Sequence, residues 1–199
     1  MHLIGLTGGL ATGKTHVGRM LETLGCRLIQ ADQLGHRALA SDGEAYRLVI
    51  KKFGPGILDE QRFIDRKKLA SLVFTDPVKL AELNALVHPA VHRLEAAMVA
   101  QILEQDPYAI VIVEAAIHIE TGGYKRFEKL ILAVCSKEEQ IRRAMKRDHA
   151  AREEVLSRID RQMPLEDKRK FADYVIDTSG DEAHTLAQTV EVYNQIRKL

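Results

Sequence analysis

One stretch near the amino terminus limits what this chain can fold into more than any other. Residues 8–15 read GGLATGKT, which fits the pattern G-x-x-x-x-G-K-[ST] of a phosphate-binding loop. The short apolar run at residues 2–7 predicts a buried strand before it, and the apolar spacing from Val17 to Leu24 predicts a helix after it. Strand, glycine-rich loop and helix in this order form the context in which the pattern binds a nucleoside triphosphate.

The chemistry of this loop follows from charge. Backbone N–H groups of such a loop surround phosphate oxygens, and the positive end of the following helix adds to the attraction. Lys14 is expected to reach the outer phosphates and to take part in catalysis, and the Thr15 hydroxyl is expected to bind Mg2+. Glycine at positions 8 and 13 permits left-handed angles and a close approach of the backbone. The residues predicted to contact the nucleotide are Gly9, Leu10, Ala11, Thr12, Gly13, Lys14, Thr15 and His16.

Length and composition narrow the class of protein further. The 199 residues suit one domain with modest insertions. A net charge of +1 gives no general electrostatic argument for nucleic acid or a membrane surface, and we expect neither as a partner. The apolar runs are too short to span a bilayer, and the first residues lack a signal-peptide pattern. Cys26 and Cys135 lie in apolar runs, so we interpret them as buried, reduced thiols of a cytoplasmic protein.

Short apolar runs predict the strands of one parallel sheet, because helical segments separate them. These runs comprise residues 2–7, 26–30, 109–113, 129–134 and 173–177. The predicted fold class is therefore α/β, with a parallel five-stranded sheet flanked by helices. The apolar positions of the last helix, which are expected to face the core, are Leu186, Val190, Tyr193 and Ile196.

The segment at residues 55–105 shows no clear strand and is predicted to be a helical insertion. One helical pattern covers residues 62–74. Asp76 followed by proline is typical of the start of a further, long helix. Pro89 is expected to interrupt that helix by kinking or restarting it.

Asp32 follows the second predicted strand and is the first candidate for an acid–base residue. Ligands of parallel α/β sheets bind outside the carboxyl ends of the strands, which places this carboxylate where chemistry takes place. An aspartate here can equally serve as the N-cap of a helix over residues 33–39. Its position alone leaves both interpretations open.

A basic helix is predicted after the fourth strand. Ser136 and Glu139 form a capping-box pattern that begins it. Residues 142–170 contain ten Lys and Arg against six Asp and Glu, a local excess of four positive charges. We interpret most of these side chains as solvated. In a protein that transfers phosphate, one or two such arginines commonly close over the nucleotide.

These features favour a small-molecule kinase over a GTPase. The GTPase pattern Asp-x-x-Gly occurs at residues 32–35 and 177–180, but the guanine-reading Asn-Lys-x-Asp is absent. A small-molecule kinase needs a carboxylate to accept the proton of the acceptor hydroxyl, Mg2+ to bridge phosphates, and arginines to neutralise developing charge. Asp32, Thr15 and the basic helix supply that set.

At this point the sequence resembles the dephospho-coenzyme A kinase family over nearly its whole length. The matching motifs are Gly5–Gly9 leading into the loop, Ala31-Asp32, Leu83–Pro89, Glu120 before Tyr124, Arg142–Asp148, Arg158–Met163 and Ala172–Asp177. The resemblance implies a P-loop nucleotide-binding core over residues 1–54 and 106–199. It also implies a helical coenzyme A-binding insertion at 55–105 and a lid at about 137–165. ATP and dephospho-CoA are the implied substrates, and a monomer or small homo-oligomer is expected.

The resemblance also implies roles for individual residues. Asp32 matches the base that activates the ribose 3′-hydroxyl of dephospho-CoA. Arg147 matches a lid arginine near the ATP phosphates and is predicted to be catalytic. His88 matches a position in the helical region, and Arg158 and Gln162 fall in a motif near the nucleotide. These three residues, together with Asp32, are predicted to bind substrate.

This chain departs from the family pattern at several positions. Gln30 stands where the family usually has aspartate, Ala11 replaces a loop glycine, and Thr178-Ser179 replaces an asparagine after the last strand. These departures keep two alternatives open. The chain could be another small-molecule P-loop kinase, or a nucleotide-binding protein without transfer activity.

Overall fold

The computed structural model describes residues 1–73 and 76–199. Its central feature is a five-stranded parallel sheet with strand order β2-β3-β1-β4-β5. The strands are β1 His2–Gly8, β2 Arg27–Gln30, β3 Ile110–Glu114, β4 Lys129–Val134 and β5 Tyr174–Asp177. The predicted α/β class and all five predicted strands are confirmed, with ends that differ by one residue or less.

Helices occupy most of the remaining described chain. The α-helices are α1 Lys14–Thr23, α2 Ala31–Ala38, α3 Tyr46–Phe53, α4 Arg66–Val73, α5 Pro77–Gln105, α6 Lys137–Asp148, α7 Arg152–Ile159, α8 Leu165–Arg169 and α9 Glu182–Ile196. Short 3-10 helices cover Pro55–Ile57 and Gly123–Arg126. None of the helices in this part of the chain combines the length and apolar character that a bilayer-spanning segment needs.

The chain divides into two units. The sheet unit comprises Met1–Gln30 and Ile102–Leu199, and the helical unit comprises Ala31–Gln101. The sequence placed the start of the helical region at residue 55, whereas the structure places it 24 residues earlier. The reason is packing, because Ala38 and Val49 share one apolar cluster with residues of α4 and α5.

The core of the sheet unit is built from alternating strand residues and two helices. Ile4 and Leu6 of β1 are fully buried, as are Val17 of α1 and Ile196 of α9, and all four belong to one cluster. Parallel strands that are covered on both faces bury consecutive apolar residues. This explains why the apolar runs in the sequence locate the strands so well.

The buried face of α9 differs from the predicted one. The buried residues are Thr185, Thr189, Val192 and Ile196, whereas Leu186 is 42% exposed. The prediction was therefore wrong for Leu186 and right for Ile196. Both threonines satisfy their hydroxyls within the helix, since Thr189 Oγ1 donates to the Thr185 carbonyl at 2.8 Å and Thr185 Oγ1 donates to that of Asp181 at 3.2 Å. A back-bonded threonine can be buried without an unsatisfied polar group.

Helix α5 runs unbroken through Pro89, so the predicted restart is wrong. An interior proline removes one hydrogen bond and its ring crowds the carbonyl four residues earlier, at a cost of about 3 kcal/mol. Leu86 and Val91, on either side of Pro89, pack against the same apolar cluster, which keeps both halves of the helix in place. The predicted start is confirmed, because Asp76 Oδ1 accepts a hydrogen bond from the Val78 N–H at 3.0 Å.

Other predicted boundaries agree with the structure or lie beside it. Ser136 caps α6 and accepts a hydrogen bond from the Glu139 N–H at 3.2 Å, as the capping box predicts. The helix predicted over residues 62–74 begins at Arg66, and Phe74 lies outside the described residues. Both cysteines are buried free thiols, as predicted.

Candidate active site

The phosphate-binding loop connects β1 to α1, and its backbone is left-handed at Gly13 but not at Gly8. Gly13 adopts a left-handed conformation with a φ of 80°, which favours glycine. A Cβ atom on Gly8 would lie 2.7 Å from the Ala133 carbonyl oxygen and still closer to Thr12 Oγ1. The buried Thr12 hydroxyl donates to the Gly9 carbonyl at 3.1 Å and holds the turn closed. Contacts within the protein therefore support the shape of the loop.

Ala11 is also left-handed, with a φ of 55°. A residue with a Cβ atom costs roughly 1–2 kcal/mol in this conformation. This is the loop position at which the family usually carries glycine. Alanine at this position is thus held in a strained backbone conformation.

Two glutamine side chains bind the backbone of Leu10, one at its carbonyl and the other at its N–H. Gln140 Nε2 donates to the Leu10 carbonyl at 2.7 Å, and the Leu10 N–H donates to Gln162 Oε1 at 2.8 Å. Gln162 was predicted to bind substrate, and the structure places it on the loop backbone. Gln140 is buried and was not predicted. Its signal in the sequence is weak because a glutamine on a basic helix is usually solvated.

The far side of the loop is tied to the carboxyl end of β5. Thr178 Oγ1 donates to the Thr12 carbonyl at 2.9 Å, and Arg143 donates to both Thr178 Oγ1 and the Thr178 carbonyl, at 2.9 and 2.6 Å. Glu139 anchors Arg143 at 2.7 Å. Hydrogen bonds from Arg142 and Arg143 lower the pKa of Glu139 to about 2. Arg143 is therefore part of the support of the loop, an exception to the interpretation that most side chains of this basic stretch are solvated.

The carboxylate most closely associated with the loop is Glu114, at the end of β3. It is 4% exposed, and its Oε1 accepts a hydrogen bond from the Thr15 hydroxyl at 2.6 Å. Its Oε2 accepts a hydrogen bond from the Gln30 amide at 2.9 Å, and Lys14 Nζ lies 4.0 Å from Oε1. Glu114 is not among the residues predicted from the sequence. The available signal was an acid directly after a buried strand.

This arrangement could hold Mg2+ together with a nucleotide. Among residues 1–73 and 76–199, no three His, Cys, Asp or Glu side chains group as a ready-made metal site. Mg2+ typically takes one or two protein oxygen ligands and completes its shell with phosphates and water. The Thr15 hydroxyl and the Glu114 carboxylate are hard oxygen donors of that kind, so the residues present fit the ion.

The two predicted arginines of the lid segment meet on one carboxylate. Asp148 accepts from Nε and Nη2 of Arg147 at 2.7 and 2.9 Å, and from Nη1 of Arg158 at 2.7 Å. The Arg147 guanidinium, with that of Arg158, holds the pKa of Asp148 well below its usual range. The structure brings Arg147 and Arg158 together on Asp148 and not on the loop backbone.

The remaining predicted residues lie at the surface or in the helical unit. His16 is on α1, with its ring nitrogen 3.7 Å from Glu182 and its side chain about half exposed. Asp32 lies in the first turn of α2, which begins at Ala31, so the interpretation of Asp32 as an N-cap is wrong. His88 is half-buried in α5, and burial lowers its pKa. Along the chain, Asp32 follows by two residues the Gln30 that binds Glu114.

A parallel sheet with a phosphate-binding loop and a buried acid beside the loop lysine and threonine defines a P-loop phosphotransferase. The shikimate kinase of Acinetobacter baumannii shares this fold, with a TM-score of 0.51 and 19% identity, covering 100% of this chain and 96% of the other. At that identity the likeness concerns the fold alone.

Comparisons of sequence identify the family. The sequence model described as dephospho-CoA kinase matches residues 2–184. The dephospho-CoA kinase of Aquifex aeolicus is 40% identical over 198 residues, covering 100% of this chain and 99% of the relative. That of Syntrophus aciditrophicus is 38% identical over 195 residues, covering 98% and 83%. The chain belongs to the dephospho-CoA kinase family, as the resemblance predicted.

Solved structures agree with this family. The dephospho-CoA kinase of Campylobacter jejuni is 28% identical, with a TM-score of 0.70 and coverage of 98% of this chain and 97% of the other. A crystal structure of a Thermus thermophilus protein is 34% identical, with a TM-score of 0.84 and coverage of 98% and 96%. The predicted enzyme class, a kinase of coenzyme A biosynthesis, is confirmed.

Proposed function

We propose that this enzyme transfers the γ-phosphoryl group of ATP to the ribose 3′-hydroxyl of dephospho-CoA, giving coenzyme A and ADP, with Mg2+ as cofactor. The observation that carries the proposal is the cluster at the ends of β2 and β3. There Glu114 accepts hydrogen bonds from Thr15 and Gln30, with Lys14 nearby. The names of the family and of the relatives support the acceptor substrate.

In the proposed reaction the loop N–H groups and Lys14 neutralise the triphosphate. When bound, Mg2+ neutralises charge on the β- and γ-phosphates, and Thr15 and Glu114 would hold it. The 3′-oxygen attacks the γ-phosphorus as Asp32 accepts the hydroxyl proton. The bond from the γ-phosphorus to the β,γ-bridging oxygen breaks, and ADP leaves with the electron pair.

The other predicted residues have supporting roles in this proposal. His88 and the helical unit bind the coenzyme, while Arg158 and Gln162 act near the nucleotide. Arg147 exchanges its contact with Asp148 for the phosphates when the lid at about 137–165 closes, which excludes water. Action in the cytoplasm is supported by the two free cysteines, because thiols stay reduced there.

The test is ADP release from Mg-ATP with dephospho-CoA, shikimate or a nucleoside monophosphate as acceptor. We expect release with dephospho-CoA alone. Asp32→Asn should lower kcat by about a hundredfold or more, because general-base catalysis contributes that much, and should leave ATP binding intact. Asp42→Asn, an exposed aspartate of the same unit, is the matched control and should behave as wild type.

Each other outcome identifies an alternative. Release with shikimate or a nucleoside monophosphate, and none with dephospho-CoA, would make the enzyme a different small-molecule P-loop kinase. ATP binding without turnover on any acceptor would make it a silent nucleotide-binding protein. The neutral Gln30 beside Glu114, where the family usually has an aspartate, is the observation that keeps this second possibility worth testing.

A further inference from the structure

Lys168 is a fully buried lysine that the reaction described above does not use. It lies on α8, and its side chain has no exposed surface. Its Nζ donates to the Ala116 carbonyl at 2.7 Å and to the Gly8 carbonyl at 3.3 Å, and lies 2.9 Å from Glu120 Oε1. A lysine ammonium has three N–H donors, and these three oxygens match them in number.

Stability alone does not explain a charge in this place. A buried ion pair can often be replaced by apolar side chains with no loss of stability. The Glu120 side chain is 23% exposed. Most of the free-energy cost of burying this ion pair therefore comes from removing the Lys168 ammonium from water. The three oxygen partners offset that cost. Compared with an apolar side chain, Lys168 holds those oxygens in place and puts a positive charge near them.

The oxygens that Lys168 holds belong to segments around the phosphate-binding loop. Gly8 ends β1 and begins the loop, and Ala116 follows Glu114 by two residues. Glu120 also accepts a hydrogen bond from the Met163 N–H at 3.2 Å. Met163 follows Gln162, whose side chain accepts from the Leu10 N–H of the loop. One buried amine thus ties the start of the loop to both segments that support it.

We propose that Lys168 is a positioning residue for nucleotide binding. It fixes the Gly8 carbonyl and places an ammonium group against the first residue of the loop. It therefore strengthens ATP binding and leaves the affinity for dephospho-CoA unchanged. The hydrogen bond from an ammonium also polarises the Gly8–Gly9 peptide, which makes the Gly9 N–H a better donor. The inference rests on the proposed function only in taking ATP as the ligand.

The experiment measures the Kd of ATP and of dephospho-CoA by calorimetry, with thermal unfolding as the check on folding. Lys168→Met keeps an unbranched side chain and removes the charge. We expect its Kd for ATP to rise by about tenfold or more, the size of a lost hydrogen bond to a charged group. Lys170→Met is the matched control, since Lys170 is exposed and pairs with Asp167. It should bind ATP as wild type does.

A double variant separates positioning from stability. Lys168→Met with Glu120→Gln removes both charges of the pair. It should recover unfolding temperature relative to Lys168→Met while ATP binding stays weak. If ATP affinity returns together with the unfolding temperature, or if a folded Lys168→Met binds ATP like wild type, the inference is wrong.

A measurement on the wild-type protein covers the case in which Lys168→Met does not fold. In protein labelled at the lysine side-chain nitrogens, the protected signal of Lys168 should shift when ADP is added. An unchanged signal at saturating ADP would overturn the inference. A wild-type enzyme that binds ATP but never phosphorylates dephospho-CoA would refute the proposed function and leave this inference standing.

Discussion

The buried polar contacts around the loop of the sheet unit differ in exposure from an ion pair of the helical unit. In the sheet unit, the residues around the loop are buried, such as Thr12, Gln140 and Lys168, none of them more than 3% exposed. In the helical unit, the ion pair of Arg93 and Glu44 has side chains that are 61% and 52% exposed. Buried hydrogen bonds therefore hold the nucleotide side in place. The exposed ion pair of the helical unit contributes little to its fold.

The largest expected effect sharpens this comparison with one lysine from each unit. Lys14→Met should lower kcat/KM by about a thousandfold, because it removes a preorganised charge at the phosphates. Lys52→Met removes a half-exposed lysine that pairs with Glu82 in the helical unit and should leave kcat/KM unchanged. ADP release with dephospho-CoA measures both. If Lys52→Met lowered kcat/KM as much as Lys14→Met does, the proposed difference between the two units would be wrong.

Glu114→Gln is expected to have the next largest effect. It preserves the shape of the side chain but removes the carboxylate beside Thr15 and Lys14. We expect kcat to fall by about a hundredfold, and the Mg2+ concentration for half-maximal activity to rise. A Mg2+ titration of activity measures both quantities. An unchanged Mg2+ requirement would show that this carboxylate has no part in holding the ion.

The sequence predicted those parts of the site that are local. The loop, Lys14 and Thr15 were found because glycines, strand and helix are neighbours along the chain. Glu114, Gln140 and Lys168 were missed because their partners lie 99, 130 and 160 residues away. A pattern in a single segment cannot show which distant carbonyl a side chain will meet. Only Glu114 left a signal, as an acid at the end of a buried strand.

The pH dependence of stability offers a third way to sharpen the comparison. His118 in the sheet unit is 4% exposed, and burial lowers its pKa from 6.5 to about 4. Between these values the unfolded chain binds more protons, so the free energy of unfolding falls as the pH drops from 6.5 towards 4. The loss amounts to about 3 kcal/mol. This loss of stability is complete below the pKa of His118 in the folded state and absent above pH 6.5.

Denaturant titrations at several pH values test this prediction. His118→Gln stays neutral throughout and should flatten the dependence in that window. His88→Gln in the helical unit should flatten it less, because the imidazole of His88 is only half-buried. If His88→Gln flattened the pH dependence of the free energy of unfolding more than His118→Gln, this prediction would be wrong.

The smallest expected effect concerns one left-handed residue in each unit. Ala11→Gly relieves backbone strain in the loop, offset by the greater freedom of glycine in the unfolded chain, and should stabilise by at most about 1 kcal/mol. Arg62, with a φ of 66°, is the counterpart in the helical unit. Arg62→Gly should change stability to a similar extent. Only Ala11→Gly should change the Kd of ATP, which calorimetry measures.

The errors in the predicted fold also come from contacts that the sequence pattern of a single segment does not show. Continuous apolar runs located the buried strands, because both faces of a parallel sheet are covered. Thr185 and Thr189 were not recognised as core residues, since the sequence does not show that their hydroxyls bond within α9. Pro89 was expected to interrupt a helix that the packing of Leu86 and Val91 keeps continuous. A hydrogen bond within the helix explains the threonines, and tertiary packing explains the continuous helix at Pro89.

The most direct test of the central claim is the phosphorus NMR spectrum of the product formed from Mg-ATP and dephospho-CoA. The loop, Glu114 and Asp32 are proposed to deliver one phosphoryl group to the ribose 3′-oxygen. The account predicts a new phosphomonoester signal coupled to the 3′-proton, appearing in step with ADP and about a hundredfold or more slower with Asp32→Asn. A spectrum in which ADP forms as free phosphate accumulates, with no phosphomonoester on the ribose, would contradict it.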